Sequence, residues 1–183
     1  MAAHAPHPRR RLVDKYPLSL TRIGHIARLF PRAHMLCLLR HPCDVVLSCH
    51  MQAFGLNGGA LAFPSLPPTA DAYARVMAYW EEQRVLAGCA VHVLRYEDLV
   101  TAPGPTLREI HAFLGISWHE DGIEDFHRQA HGRETRIRTP SYAQVARPLN
   151  TDALYRWRRY RRHFAGEAMA RLAPWIERYG YQD

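Results

Sequence analysis

Glycine never gathers into a phosphate-binding loop in this sequence. Neither G-x-G-x-x-G nor G-x-x-x-x-G-K-[ST] occurs, and Gly58-Gly59 is only a loop pair. The chain brings no glycine cradle of its own for a nucleotide. Lysine is nearly missing too: Lys15 is the only one, and every other basic residue among the 24 is arginine. Cysteine is scarce, with four residues in 183 and no C-x-x-C pair, which excludes a disulfide scaffold in a chain long enough to build a core. Cys37, Cys43, Cys49 and Cys89 read as the reduced thiols of a cytoplasmic protein. The 12 histidines are scattered, no H-E-x-x-H occurs, and pairs such as His41 with Cys43 offer too few ligands for zinc. No metal is expected. Apolar runs stay well short of the roughly 18 residues a membrane helix requires, and Arg9-Arg10-Arg11 leads into no apolar signal-peptide stretch. Neither a membrane span nor an export signal is expected.

What the chain does have is an ordinary globular balance, 48% apolar and 22% charged, and a net charge of +7. Disorder and collagen-like repeats are excluded on composition, and a basic surface that meets something anionic is implied. The length suits one domain or most of one. Residues 1–11 read as an unstructured basic start, and residues 12–183 as the C-terminal part of a folded domain.

Leu20, Ile23, Ile26, Ala27 and Phe30 fit one face of a short helix stopped by Pro31. Met35 to Leu39 lacks alternation, as a strand buried on both faces would. After Arg40-His41, Pro42 fits a first helical turn, and apolar spacing carries that helix to Gly55. A loop to Pro68 and a helix over 70–86 follow. Val91 to Leu94 reads as a second buried strand, with Leu12-Val13 as a candidate third. Thr106-x-x-Glu109 has the capping-box pattern of a helix start, and Gly115 a helix end. An irregular stretch over 135–150 precedes two helices near 152–164 and 167–179. Strands alternating with helices predict an α/β fold with a partial parallel sheet flanked by helices.

Ligands of open α/β sheets bind beyond the carboxyl ends of the strands. Arg40 stands at such an end, and Ser48 lies eight residues on, inside the following helix. A guanidinium and a hydroxyl can close there on one phosphate while backbone amides face it. The alternative is that Arg40 pairs with Asp44 and Ser48 merely satisfies its own helix. Asp44 itself reads as a dipole or capping partner, since it would repel phosphate.

Several ordered motifs then carry a resemblance. They are Asp14-Lys15-Tyr16-Pro17, Phe30-Pro31-Arg32-Ala33, Arg40-His41-Pro42-Cys43-Asp44-Val45-Val46-Leu47-Ser48, Tyr96-Glu97-Asp98-Leu99-Val100, and Thr139 through Asn150 with Arg156-Trp157. Over residues 12–164 the chain resembles sulfotransferases, above all the bacterial TPR-linked and the tyrosylprotein branches. The resemblance implies a P-loop-like fold and the donor 3′-phosphoadenosine 5′-phosphosulfate (PAPS), with transfer of a sulfuryl group to a hydroxyl acceptor on a glycan, peptide or small molecule. It places Arg40 and Ser48 at the donor's 3′-phosphate, Lys15 and Ser141 at the transferring group, and Tyr96, Gln144, Arg147 and Arg156 at the nucleotide. One departure is Gln52, where the tyrosylprotein branch carries an arginine.

The family's glycine-containing 5′-phosphosulfate loop and its catalytic base should precede Lys15, and the fourteen residues there contain no glycine, serine or other carboxylate before Asp14. The expectation is a domain lacking its N-terminal phosphate loop and inactive alone, with an open sheet edge through which copies self-associate. Two other readings stand beside it. One is a non-catalytic nucleotide- or protein-binding remnant. The other, less favoured, is a nucleic-acid surface built from Arg156, Arg158, Arg159, Arg161 and Arg162 with Trp157 and Tyr160. The apolar members of that stretch fit a core-facing helix better.

Overall fold

A computed structural model describes residues 12–51, 63–119 and 150–182. Two strands, β1 (His34–Leu39) and β2 (Ala90–Arg95), pair in parallel, with His34 opposite Ala90 and Leu39 opposite Arg95. Before them run a 3-10 helix, Pro17–Arg22, and α1, Ile23–Leu29. The crossover between the strands consists of α2 (Pro42–Met51) and α3 (Leu66–Leu86). After β2 come α4 (Tyr96–Thr101) and α5 (Pro103–Leu114), and then a second 3-10 helix (Arg156–Tyr160), α6 (Arg161–Phe164) and α7 (Glu167–Arg178). The α/β class and the parallel pairing are as the sequence predicts.

Local chemistry explains most boundaries. Helix α3 opens on Leu66-Pro67-Pro68, where a missing N–H costs nothing, and Thr69 Oγ1 donates to Ser65 O at 2.6 Å. Gly115 closes α5 in the left-handed region at φ 60. Gly180 has φ 63, a left-handed conformation that favours glycine, and a Cβ there would stand 2.9 Å from Arg95 Nη2 and displace that side-chain end.

Helix α3 separates two apolar clusters. On one side Trp157, Phe164, Leu172 and Val46, all fully buried, tie α2 and α3 to the C-terminal helices. On the other, Ile23, Cys37, Leu39, Met77 and Trp80 join α1 and β1 to α3. All four cysteines are free thiols, and burial pushes the Cys37 thiol up to about 12, followed by the Glu81 charge.

Four expectations are corrected. Neither strand is buried on both faces: in β1 burial alternates, with Leu36 45% and Leu38 52% exposed, and in β2 no residue is buried and Val93 is 40% exposed, because among the described residues nothing fully covers that face. Leu12 and Val13 are exposed and form no strand. Thr106 does not cap a helix: α5 begins at Pro103, and the Thr106 hydroxyl donates back to Ala102 O at 2.9 Å from inside it. The helix foreseen over 152–164 is a turn, a 3-10 helix and a single α-turn, since Tyr155 sits in the left-handed region at φ 49. Among the described residues no helix is long and apolar enough to cross a membrane.

Candidate functional site

The register of the sheet builds the site. Leu39 lies opposite Arg95, so the next residue on each strand, Arg40 and Tyr96, leave the sheet side by side. The Arg40 guanidinium lies over the Tyr96 ring, 5.0 Å from its centroid. Such a cation–π contact contributes about 0.5–2 kcal/mol. The same guanidinium donates from Nη2 to the carbonyl of Ala153, and Nη2 stands 3.5 Å from Asp44 Oδ2. The alternative reading of this junction, an Arg40–Asp44 pair, is therefore what the structure contains. That pair is an ion pair without a hydrogen bond: Asp44 Oδ2 and Arg40 Nε are both buried polar atoms with no hydrogen-bond partner. The guanidinium keeps donor capacity in hand.

Asp44 is 1% exposed. Its other oxygen, Oδ1, accepts the backbone N–H of Trp157 at 2.9 Å. Burial raises its carboxyl above the usual carboxylate range, against the opposing pull of the Trp157 N–H and the Arg40 charge. Asp44 thus stands in the first turn of α2, where a carboxylate suits the helix dipole as expected, and is also a buried tie between α2 and the C-terminal segment. Arg156 of that segment reaches Met51 Sδ at the far end of α2. Residues 153–157 therefore lie along α2, touching Arg40, Asp44 and Met51 in turn. Ser48 is half-buried, four residues after Asp44 and three before Met51, which puts it on that same face.

The backbone amides foreseen to face an anion are spent elsewhere. Cys43 N–H donates to His41 Nδ1 at 3.2 Å, and the amides of Asp44 and Val45 both donate to His41 O. Any anion here is held by side chains. His41 is buried, stacked on Trp157 at 5.0 Å and edge-on to Tyr181 at 5.1 Å. Its N–H donates to Glu97 Oε1 at 2.9 Å, while the Tyr181 hydroxyl donates to Glu97 Oε2 at 3.0 Å. Arg95 completes this knot, lying over the Tyr181 ring at 4.6 Å and donating to Tyr179 O. Glu97 and Tyr181 are the residues sequence reasoning missed. The available signal was a carboxylate placed directly after a strand end, in Tyr96-Glu97-Asp98.

Of the other foreseen residues, Lys15 is exposed in the stretch before the first 3-10 helix, and among the described residues no hydrogen bond or ion pair joins it to Arg40, Ser48, Tyr96 or Arg156. Ser141, Gln144, Arg147 and Gln52 lie outside the described residues. The arginine-rich stretch is divided: Trp157 and Phe164 are core, and Arg158, Arg159, Arg161 and Arg162 face solvent, as a core-facing segment with a solvated basic side predicts. Among the described residues no cluster of side chains suits a metal ion.

A parallel sheet with an arginine at a strand end, a tyrosine under it and a second arginine lying along the next helix defines an α/β domain with a basic junction at the ends of its strands. The Sulfotransferase family model matches residues 1–120, and the chain belongs to that family. It is 27% identical to protein-tyrosine sulfotransferase 2 of Gallus gallus over 95% of its own length and 47% of that protein. It is 26% identical to the Drosophila melanogaster protein-tyrosine sulfotransferase, covering 95% of the chain and 35% of the relative. An uncharacterised protein of Aquifex aeolicus is 26% identical over 86% of the chain and 20% of its own length. The chain thus spans from a fifth to about half the length of these relatives.

Proposed function

We propose that this domain binds PAPS and takes part in transfer of its sulfuryl group to a hydroxyl. The observation that carries the reading is Arg40, held at the end of β1 over the Tyr96 ring and followed along α2 by Ser48 and by Arg156 of the C-terminal segment, which reaches Met51. Arg40 and Ser48 hold the 3′-phosphate, and Tyr96 and Arg156 flank the nucleotide. A guanidinium suits a phosphate because it is always charged and presents several donors in a fixed plane. Gln144 and Arg147 are assigned to the nucleotide, and Lys15 and Ser141 to the transferring end, by family resemblance alone.

The transfer asks little covalent work of a protein. The bond between sulfur and the bridging oxygen breaks, its electron pair stays with the 5′-phosphate, and the acceptor oxygen forms the new bond as it loses its proton. Alignment and stabilisation of charge on the departing oxygen do most of the work. The compact ammonium of Lys15 fits the bridging oxygen better than a forked guanidinium does. The acceptor is a hydroxyl, and the names of the relatives favour a tyrosine phenol over other alcohols.

Titration with 3′-phosphoadenosine 5′-phosphate tests the reading. Arg40→Ala should weaken binding by about 1.5–3 kcal/mol, the usual worth of a hydrogen bond to a charged group. An unchanged dissociation constant would remove Arg40 from the role.

A further inference from the structure

The buried carboxylate beside Arg40 needs a reason. Asp44 is 1% exposed, and a charge held out of water is tolerated only when it is paired. Next to a phosphate site it also repels the ligand. Its two oxygens, however, do separate jobs. Oδ1 takes the Trp157 N–H at 2.9 Å and so fixes the segment that carries Ala153 and Arg156. Oδ2 stands 3.5 Å from Arg40 Nη2, on the same nitrogen that donates to Ala153 O. Arg40 is thus held from two directions, by a carboxylate in α2 and by a carbonyl of the segment which that carboxylate anchors. The ring of Tyr96 supports the guanidinium from a third side.

We infer that Asp44 is a positioning residue: it sets the plane of the Arg40 guanidinium and the placement of the 153–157 segment together, so that Arg40 and Arg156 meet one nucleotide as a preorganised pair. This rests on the nucleotide reading of Arg40 given above. The long arginine side chain is rich in rotamers, and a neighbour that removes that freedom before the ligand arrives lowers the cost of binding. The attraction between Asp44 and Arg40 is partly given up when the phosphate comes in. The gain is in order, and it reaches the ligand only through Arg40 and the anchored segment.

Asp44→Asn separates the two jobs. The amide oxygen still accepts the Trp157 N–H, while the charge opposite Arg40 disappears. The shape is kept and a buried charge is removed, so the variant should fold; Asp44→Glu, which keeps the charge one methylene further out, is the second variant should it not. Binding of 3′-phosphoadenosine 5′-phosphate is measured calorimetrically for the wild-type chain, Asp44→Asn, Arg40→Ala and the double variant. Asp44→Asn should raise the dissociation constant roughly tenfold, inside the range seen for coupled neighbours. In the Arg40→Ala background the same change should no longer weaken binding: the guanidinium it positions is gone, and removing a charge that repels phosphate should leave the affinity equal or slightly tighter.

A merely structural Asp44 would weaken binding by the same factor in both backgrounds, and that result overturns the inference. So does an Asp44→Asn variant that binds as tightly as the wild type, or more tightly, while Arg40→Ala binds weakly. If Arg40→Ala binds like the wild type, or the wild-type chain does not bind at all, the nucleotide reading itself falls and takes the inference with it. The first pair of outcomes refutes Asp44 alone; the second pair refutes the site.

Discussion

The two flanks of α3 are finished differently. Toward the C-terminal helices, Trp157 and Phe164 are fully buried, and even the charged groups, Asp44 and Glu97, are enclosed and hydrogen-bonded. Toward the sheet, α3 packs on Ile23, Cys37 and Leu39, but two strands are all that the described residues supply, and on their far face Leu36, Leu38 and Val93 remain 40% or more exposed. The closed flank holds the side-chain hydrogen bonds of Asp44 to Trp157 and of Glu97 to Tyr181; the open flank holds unspent apolar surface. The candidate site sits on the seam, where the strands end and the closed flank begins. The buried charged groups are concentrated on the closed side of that seam, and the exposed sheet face contributes none of them.

That contrast can be broken at its strongest point. Trp157→Ala removes a fully buried indole from the closed flank and should cost about 3–5 kcal/mol, enough to unfold a marginal domain. Denaturant titration checks it. A loss under about 1 kcal/mol would mean that the closed flank is not what holds the molecule together.

Glu97→Gln comes next. One carboxylate takes the His41 backbone N–H at 2.9 Å and the Tyr181 hydroxyl at 3.0 Å, so a neutral amide gives up both charge-assisted bonds and forces the Tyr181 hydroxyl to turn and accept. A loss of about 1–3 kcal/mol follows from charged hydrogen bonds in a buried place. Because His41 follows Arg40 directly, nucleotide binding should weaken along with stability. Tyr181→Phe, which removes a single donor, should show a smaller loss in the same assays.

Much of this architecture was legible in the residues, and the failures have physical causes. Both strands, α1, α2 and α3 follow from apolar spacing with proline and glycine as stops. Helix α4 was invisible because Tyr96 to Thr101 is too short to show a period. Thr106 looked like a cap because a threonine three residues before a glutamate matches the pattern, yet Pro103, with its φ already suited to a first turn, starts the helix earlier. The apolar run of β1 foretold two covered faces, but covering needs neighbours that a strand's own sequence does not specify. At the site, Arg40 and Tyr96 could be read as strand-end residues. Their meeting could not be read, because it depends on the register that sets Leu39 against Arg95. Tyr181 lies 84 residues from Glu97, and no local pattern links them.

Within the closed flank, acid should act through Glu81. Its carboxylate takes Arg84 at 2.8 Å, Arg178 at 2.5 Å and the Tyr179 hydroxyl at 3.0 Å, binding α3 to α7. Partial burial pushes its carboxyl up, but those three hydrogen bonds outweigh it and hold the group below the usual glutamate range. A carboxyl lowered in the folded state contributes stability above its unfolded value, near about 4.3, and loses it as pH falls through the folded value. Glu81→Gln should therefore cost about 1 kcal/mol at neutral pH, discounted for the exposure of its partners, and should converge with the wild type below about pH 4. Melting curves at several pH values decide it, and a gap that stays constant into acid would refute the linkage.

The smallest effect belongs to the open flank. Leu38 is 52% exposed on β1, so Leu38→Thr removes apolar surface that folding has not hidden and puts a β-branched residue, which suits a strand, in its place. Its effect on stability should stay within about 0.5 kcal/mol, as for surface positions generally. Its effect on association should be larger. Strand edges and apolar faces left open invite pairing with another chain, and sedimentation velocity over a range of concentrations should show the variant less associated than the wild type. If Leu38→Thr instead destabilised the fold as much as Glu97→Gln does, the sheet face would be covered in solution by part of the same chain, and the contrast between the two flanks would vanish.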